Sequence, residues 1–129
     1  MAQADLAGTE SILLVEDDPG VRKATQRILQ SLGYKVSVAR NAAEALQQFV
    51  AQPHIDLLLT DVIMPGASGA DLAARVRANY SVKILYMSGY ADEAVQKTGV
   101  LQRSGFLQKP FTPTQLGRRV REVLAGVES

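Results

Sequence analysis

The stretch ILLVEDDP at residues 12–19, together with its echo DLLLTD at 56–61, decides the fold. Each is a short, unbroken apolar run that ends in carboxylates. A strand with one wet face alternates apolar and polar residues, whereas an unbroken run suits a strand covered on both faces, as in a parallel sheet. Working outward, five segments read as strands: Ser11–Val15, Lys35–Ala39, Asp56–Thr60, Val82–Met87 and Gly105–Gln108. The intervals between them are long enough for a helix and too long for a hairpin, so neighbouring strands are parallel.

Helical spacing fills the intervals. Val21, Ala24, Thr25, Ile28, Leu29 and Leu32 form one stripe, with Pro19 in the first turn and Gly33 as a left-handed stop. Ala42, Ala45, Leu46, Phe49 and Val50 form a second, capped by Asn41 with Glu44 three residues on and closed by Pro53. A third helix is expected over Asp71–Asn79, with Leu72 and Val76 inward. A weaker fourth covers Asp92 to about Thr98 and ends at Gly99. A fifth runs from about Pro113 to Ala125, capped by Thr112, with Leu116, Val120, Val123 and Leu124 inward. The expected fold is therefore α/β: a flavodoxin-like (βα)5 doubly wound sandwich, a five-stranded parallel sheet with helices on both faces. Residues 1–10 read as a flexible leader or linker remnant, and 11–127 as one domain.

Composition narrows the chemistry. The 129 residues contain no Cys and a single histidine, His54. Disulfide scaffolds, thiolate metal sites, cysteine nucleophiles and sites needing two imidazoles are excluded. His54 itself sits at the amino end of the third strand and reads as a loop residue. A net charge of +1 argues against a surface built for nucleic acid or membrane. The longest apolar runs are far short of the roughly twenty residues that a membrane span requires, and no signal peptide is visible, so a cytoplasmic location is expected. Arg118, Arg119 and Arg121 on the last helix read as a solvated face. Gly66 and Gly69 read as turn formers, and Tyr80, Tyr86 and Met87 as packing residues.

Open parallel sheets carry their sites outside the carboxyl ends of the strands. There the first strand ends in Glu16-Asp17-Asp18, the third in Thr60-Asp61, the fourth in Met87-Ser88-Gly89 and the fifth in Gln108-Lys109-Pro110. Asp18, beside Pro19, reads as the cap of the first helix. For the others to be unrelated turn formers would require several independent coincidences on one rim. Two like charges about 4 Å apart repel by roughly 4 kcal/mol at an effective dielectric of 20. Clustered carboxylates therefore either raise a pKa or bind a cation, and an oxygen-only donor set favours a hard ion such as Mg²⁺.

The motifs ILLVEDDP, LLLTDVIMPGASG, ILYMSGY and FLQKPF, in order at the ends of strands one, three, four and five, resemble the receiver domain of bacterial two-component response regulators. The wording is most similar to receivers carried at the C-terminus of hybrid sensor histidine kinases. The resemblance implies that Asp61 accepts a phosphoryl group from a phosphohistidine. It implies that Glu16, Asp17, Asp61 and the Ile63 carbonyl hold Mg²⁺ (or Mn²⁺), Glu16 often through water. It implies that Lys109 places a positive charge on the phosphoryl group, and that Ser88 and the aromatic at Phe106 act in the switch. The Lys109–Pro110 bond is then expected to be cis. Two departures stand out: Ser88 where Thr is common, and Phe106 where Tyr is common. Apolar Ile63 and aromatic Tyr90 flank the site, where some receivers have polar groups that orient an attacking water; slow self-dephosphorylation is expected because apolar cover excludes the nucleophile.

The expected function is thus a phosphoacceptor in a phosphorelay, not an enzyme in its own right. Its expected partner is a histidine kinase or histidine phosphotransfer domain. The chain would be a stand-alone regulator or part of a hybrid kinase, monomeric or weakly dimeric through the fourth helix, fifth strand and fifth helix. Two other readings carry less. A flavoprotein would need a Ser/Thr/Gly-rich phosphate loop where EDDP stands, and a phosphatase of the haloacid-dehalogenase kind would need Asp-x-Asp there. A phosphorylation-independent pseudo-receiver used for docking does not require the intact set Glu16, Asp17, Asp61, Ser88 and Lys109.

Overall fold

The computed structural model of the chain describes residues 6–52, 54–64, 66–88 and 105–126. In chain order they form β1 (Ser11–Val15), α1 (Pro19–Ser31), β2 (Lys35–Ala39), α2 (Ala42–Ala51), β3 (Leu57–Asp61), α3 (Gly69–Asn79), β4 (Lys83–Ser88), β5 (Gly105–Gln108) and α4 (Pro113–Leu124). All five strands are parallel, in the order β2-β1-β3-β4-β5. The helix expected over 92–98, Pro53, Gly89 and Tyr90 lie outside the described residues.

The unbroken apolar strands are covered on both faces, as expected. On one face Leu13, Val15, Leu58, Ile84 and Tyr86 meet Ala45 and Phe49 of α2 and Leu72 and Val76 of α3. On the other, Ile12, Leu14, Leu57, Leu59, Leu85 and Met87 meet Leu29 of α1 and Leu116, Val120 and Val123 of α4. Successive residues of each strand feed opposite cores, the period of two that a strand imposes. The fold is a flavodoxin-like α/β sandwich.

Local signals set the helix ends. Asp18 accepts from the backbone N–H groups of Gly20 and Val21, Asn41 from Glu44, and Ser68 from Asp71. Thr112 and Gln115 form a reciprocal capping box on α4. Gly33 takes φ +103° at the stop of α1. Ser68 as cap starts α3 two residues earlier than the sequence spacing suggested.

Four expectations need correction. β3 and β4 are each displaced by one residue toward their carboxyl ends. Asp56 instead bonds the Ser11 amide through its side chain (2.9 Å), while Val62 N–H bonds the Met87 carbonyl (2.9 Å), extending the ladder past Asp61. Val50 points to solvent, 77% exposed, while Ala45 and Phe49 of its stripe are buried and Ala42 and Leu46 are partly buried against the same core. Residues 6–10 are not a free leader. Leu6 is buried, and Gly8 N–H bonds the Leu32 carbonyl (3.0 Å). Arg119 and Arg121 are not merely solvated: Arg119 donates to the Phe106 carbonyl (3.1 Å), and the Arg121 guanidinium bonds Glu10 (2.8 and 3.0 Å) and the Tyr34 hydroxyl (3.1 Å). Tyr86 and Met87 are buried, and Tyr80 packs its ring 5.1 Å from that of Phe49.

Candidate functional site

Register brings the polar strand ends to one level of the sheet. Val15 pairs with Thr60, so the residues that follow, Glu16 and Asp61, stand side by side. Asp61 pairs with Met87, one residue before Ser88. Ser88 pairs with Gln108, and Lys109 N–H bonds the Ser88 carbonyl at 2.8 Å. Four strands thus deliver Glu16, Asp61, Ser88 and Lys109 to one rim, as the sequence reading expected.

The side chains meet there. Lys109 Nζ lies 2.6 Å from Asp61 Oδ1 and forms an ion pair with Glu16 Oε1. Carboxylate oxygens of Glu16, Asp17 and Asp61 all fall within 4.8 Å of one another. Glu16 and Asp61 are almost fully buried, at 1% and 5% exposed, whereas Asp17 is open to solvent. Ser88 is buried beside them. The Lys109–Pro110 peptide bond is cis, as expected. Phe106 sits on β5 three residues before Lys109, partly buried against the core on the α2 and α3 face. His54 is exposed at the amino end of β3, away from this rim.

Burial and charge set the protonation states. Burial pushes the Asp61 carboxyl well above its ordinary range, and the neighbouring Glu16 acid adds to this, while Lys109 pulls the other way. Burial works against the Glu16 charge too, but hydrogen bonds from Asp61 and Lys109 outweigh it and hold Glu16 low. Lys109 is desolvated, yet the two facing carboxyls keep it firmly cationic. The two buried acids therefore compete for one ammonium. A group that is forced to share charge in this way is poised for a cation or for covalent neutralisation.

Three further residues shape the site: Arg22, which the sequence reading did not name, and Thr60 and Gly69, which it named without these contacts. Arg22, one turn into α1, donates to the Glu16 backbone carbonyl (2.9 Å) and pins the loop bearing Glu16 and Asp17. The buried Thr60 hydroxyl donates to the Asp61 carbonyl at 3.1 Å. Gly69 is more than a turn former. A Cβ there would stand 2.1 Å from the Asp61 carbonyl oxygen, so α3 begins directly against the backbone of Asp61. Gly66, by contrast, has φ +88° and open space around it, the turn role expected of it. A glycine directly after a helix-capping serine was the one available hint of the close approach at Gly69.

Comparison with known proteins agrees with this geometry. The family model for the response regulator receiver domain matches residues 12–121. The chain is 37% identical over 123 residues to the sensor kinase CckA of Brucella abortus, covering 93% of this chain and 13% of that protein. It is 30% identical over 118 residues to the aerobic respiration control protein ArcA of Escherichia coli, covering 91% of this chain and 49% of that one. The chain thus spans half or less of the length of these curated relatives. Among solved structures, the chemotaxis protein CheY4 of Vibrio cholerae superimposes with a TM-score of 0.78 at 28% identity, covering 90% of this chain and 99% of that one.

Proposed function

The chain belongs to the family of response regulator receiver domains, and from that membership we propose that it takes a phosphoryl group from a phosphohistidine onto Asp61 and signals by a change of conformation. The observation that carries this reading is Asp61 itself: a buried carboxylate at a strand end, faced by two further acids and by the ammonium of Lys109. An Asp61 carboxylate oxygen attacks phosphorus. The P–N bond to the donor imidazole breaks, and its electron pair stays on the imidazole nitrogen, which takes up a proton. Lys109 balances the charge that gathers on the phosphoryl oxygens, and the Ser88 hydroxyl donates to one of them once Asp61 is modified.

The donor set is all oxygen and strongly anionic, which fits a hard divalent ion, Mg²⁺ or Mn²⁺. Glu16, Asp17 and Asp61, with the Ile63 backbone carbonyl, would hold it. When bound, such an ion supplies neutralising charge for the carboxylates and the phosphoryl oxygens.

A phosphohistidine can reach Asp61 only if its protein covers the mouth of the site. Beside that mouth, between α1 and the segment after β5, lies a groove of about 440 Å³ lined by Val21, Ala24, Thr25, Ile28, Lys109, Pro110 and Phe111. Its apolar walls are the part of the α1 stripe that the core leaves open, since Ala24 is exposed and Val21 and Ile28 are only half-buried. We assign this groove to the histidine kinase or phosphotransfer partner. The 37% identity to part of a sensor kinase supports a place within a hybrid kinase.

Incubation with acetyl phosphate and Mg²⁺ tests the reading. Intact mass is expected to rise by one phosphoryl group, and hydroxylamine or a metal chelator should abolish the gain. A mass unchanged under these conditions contradicts it. Ile63, two residues after Asp61, is 55% exposed and its side chain offers water no hydrogen bond. The phosphorylated protein should therefore lose label slowly, and Ile63→Asn should speed the loss several-fold. Loss within seconds in the parent, unaltered by Ile63→Asn, would count against this.

A further inference from the structure

Away from the phosphoacceptor rim, a segment of the chain itself packs where Leu32, at the end of α1, meets Gly117 of α4. Leu6 fills the space left by Gly117. A Cβ on Gly117 would lie 3.1 Å from Leu32 Cδ1 and 3.2 Å from Leu6 Cβ and Cδ1. A glycine inside a helix costs about 1 kcal/mol relative to alanine, so its presence in α4 answers to this contact. Gly8 is held just as closely. A Cβ on Gly33 would meet the Gly8 carbonyl oxygen at 2.5 Å, and a Cβ on Gly8 would strike Tyr34 and Arg121. Glu10 closes the attachment through Arg121, and burial pushes the Tyr34 phenol above its usual range within the same contact. Three glycines and one ion pair thus seat five residues that precede the first strand.

The helix that receives this segment also holds the switch strand. Arg119, half a turn before Arg121, donates from Nε to the Phe106 carbonyl of β5 at 3.1 Å. β5 leads within three residues to Lys109, and α4 begins four residues after Lys109. We propose that Leu6–Glu10 is a docked strap on α4 whose attachment opposes phosphoryl occupancy of Asp61, so that the chain on its N-terminal side and the phosphoacceptor regulate each other. The proposal rests on Asp61 being the phosphoacceptor. The strap clamps α4 in the arrangement in which Lys109 pairs directly with Asp61. A phosphoryl group on Asp61 must stand between that oxygen and the ammonium, which displaces Lys109 and the strand and helix attached to it. A strap fitted to the first arrangement then loses contacts. Linkage makes the effect mutual: what phosphoryl occupancy does to the strap, release of the strap does to occupancy.

Beryllofluoride with Mg²⁺ is a suitable phosphoryl mimic for the test, on the full 129-residue chain. Two variants release the strap without touching the site, Glu10→Gln and Leu6→Ala; agreement between them guards against a variant that merely folds poorly. Both are expected to bind beryllofluoride about five-fold more tightly than the parent, at the low end of ordinary coupling. In the parent, the Gly8 amide, bonded to the Leu32 carbonyl, should exchange with solvent faster once beryllofluoride is bound. Affinities within two-fold of the parent, weaker binding by the variants, or unchanged Gly8 exchange would each overturn the strap. If the parent itself bound no beryllofluoride, the phosphoacceptor reading would fall first and take the strap with it.

Discussion

Asp61→Asn is expected to take up no phosphoryl group from acetyl phosphate while folding at least as stably as the parent. The loss of uptake follows because an amide oxygen is no match for a carboxylate as a nucleophile toward phosphorus. The retention of stability follows from the setting of the side chain. Asp61 is buried beside Glu16, and its charged form is the one the fold disfavours, which its raised pKa reports. Asparagine has nearly the same shape, and its carbonyl oxygen can still accept from Lys109. Lys109 is then left with Glu16 as a balanced ion pair. Relief of the repulsion between the two acids is on the order of 1 kcal/mol, a rise of a few degrees in Tm for a domain of this size. Calorimetry in the presence of a chelator, alongside intact mass after acetyl phosphate, checks both halves. Continued uptake by the variant would move the acceptor elsewhere, and a marked fall in Tm would mean that Asp61 is a structural residue.

Among the described glycines, Gly69 is the one where an added methyl group (Gly69→Ala) is expected to do the most damage. The new Cβ would lie 2.1 Å from the Asp61 carbonyl oxygen, 3.0 Å from its carbonyl carbon and 3.2 Å from Val62 Cα. All three are backbone atoms, so no rotamer change relieves the clash. Neither partner can retreat easily. Val62 is held by its bond to the Met87 carbonyl (2.9 Å), and Gly69 itself donates to the Val62 carbonyl at 2.7 Å. Overpacking against backbone of this kind costs about 3 kcal/mol, equivalent to a fall of roughly 10–15 °C in Tm. Any folded fraction should also react slowly, because a displacement of about 1 Å at a reacting group can cost a hundred-fold. Gly66→Ala is the control. Its positive φ imposes only the left-handed penalty of about 1–2 kcal/mol, with nothing within 4 Å to strike. Equal melting temperatures for the two variants would contradict this account.

What was legible in the sequence was what neighbouring residues encode. Caps at Asp18, Asn41 and Thr112 and the stop at Gly33 act within a few residues, and all four stand where the reading put them. The unbroken runs ILLV and LLLT declared strands covered twice, and the carboxyl-end rule then pointed to one rim. Glu16, Asp17, Asp61, Ser88 and Lys109 are gathered there because each ends a strand or stands within two residues of its end, and the strand registers align. Strand ends were misjudged by a residue because pairing, not propensity, fixes them: Asp56 serves Ser11, 45 positions away.

The illegible features all depend on distant partners. Val50 fits its helical stripe, yet it is exposed while Ala45 and Phe49 beside it are buried, which only the packing of α2 on the sheet decides. Arg121 looks like part of a solvated basic face until Glu10, 111 residues earlier, arrives beside it. Leu6 and Gly117 likewise have no local signature. A small residue inside an amphipathic helix marks a close approach, but only the fold says of what.

The most direct test of the central claim is to locate the phosphoryl group chemically. An acyl phosphate is reduced by borohydride to an alcohol, so protein treated with acetyl phosphate and Mg²⁺, reduced and then sequenced as peptides should carry homoserine in place of Asp61. Homoserine at any other aspartate, or none at all in protein that had gained the phosphoryl mass, would contradict the account.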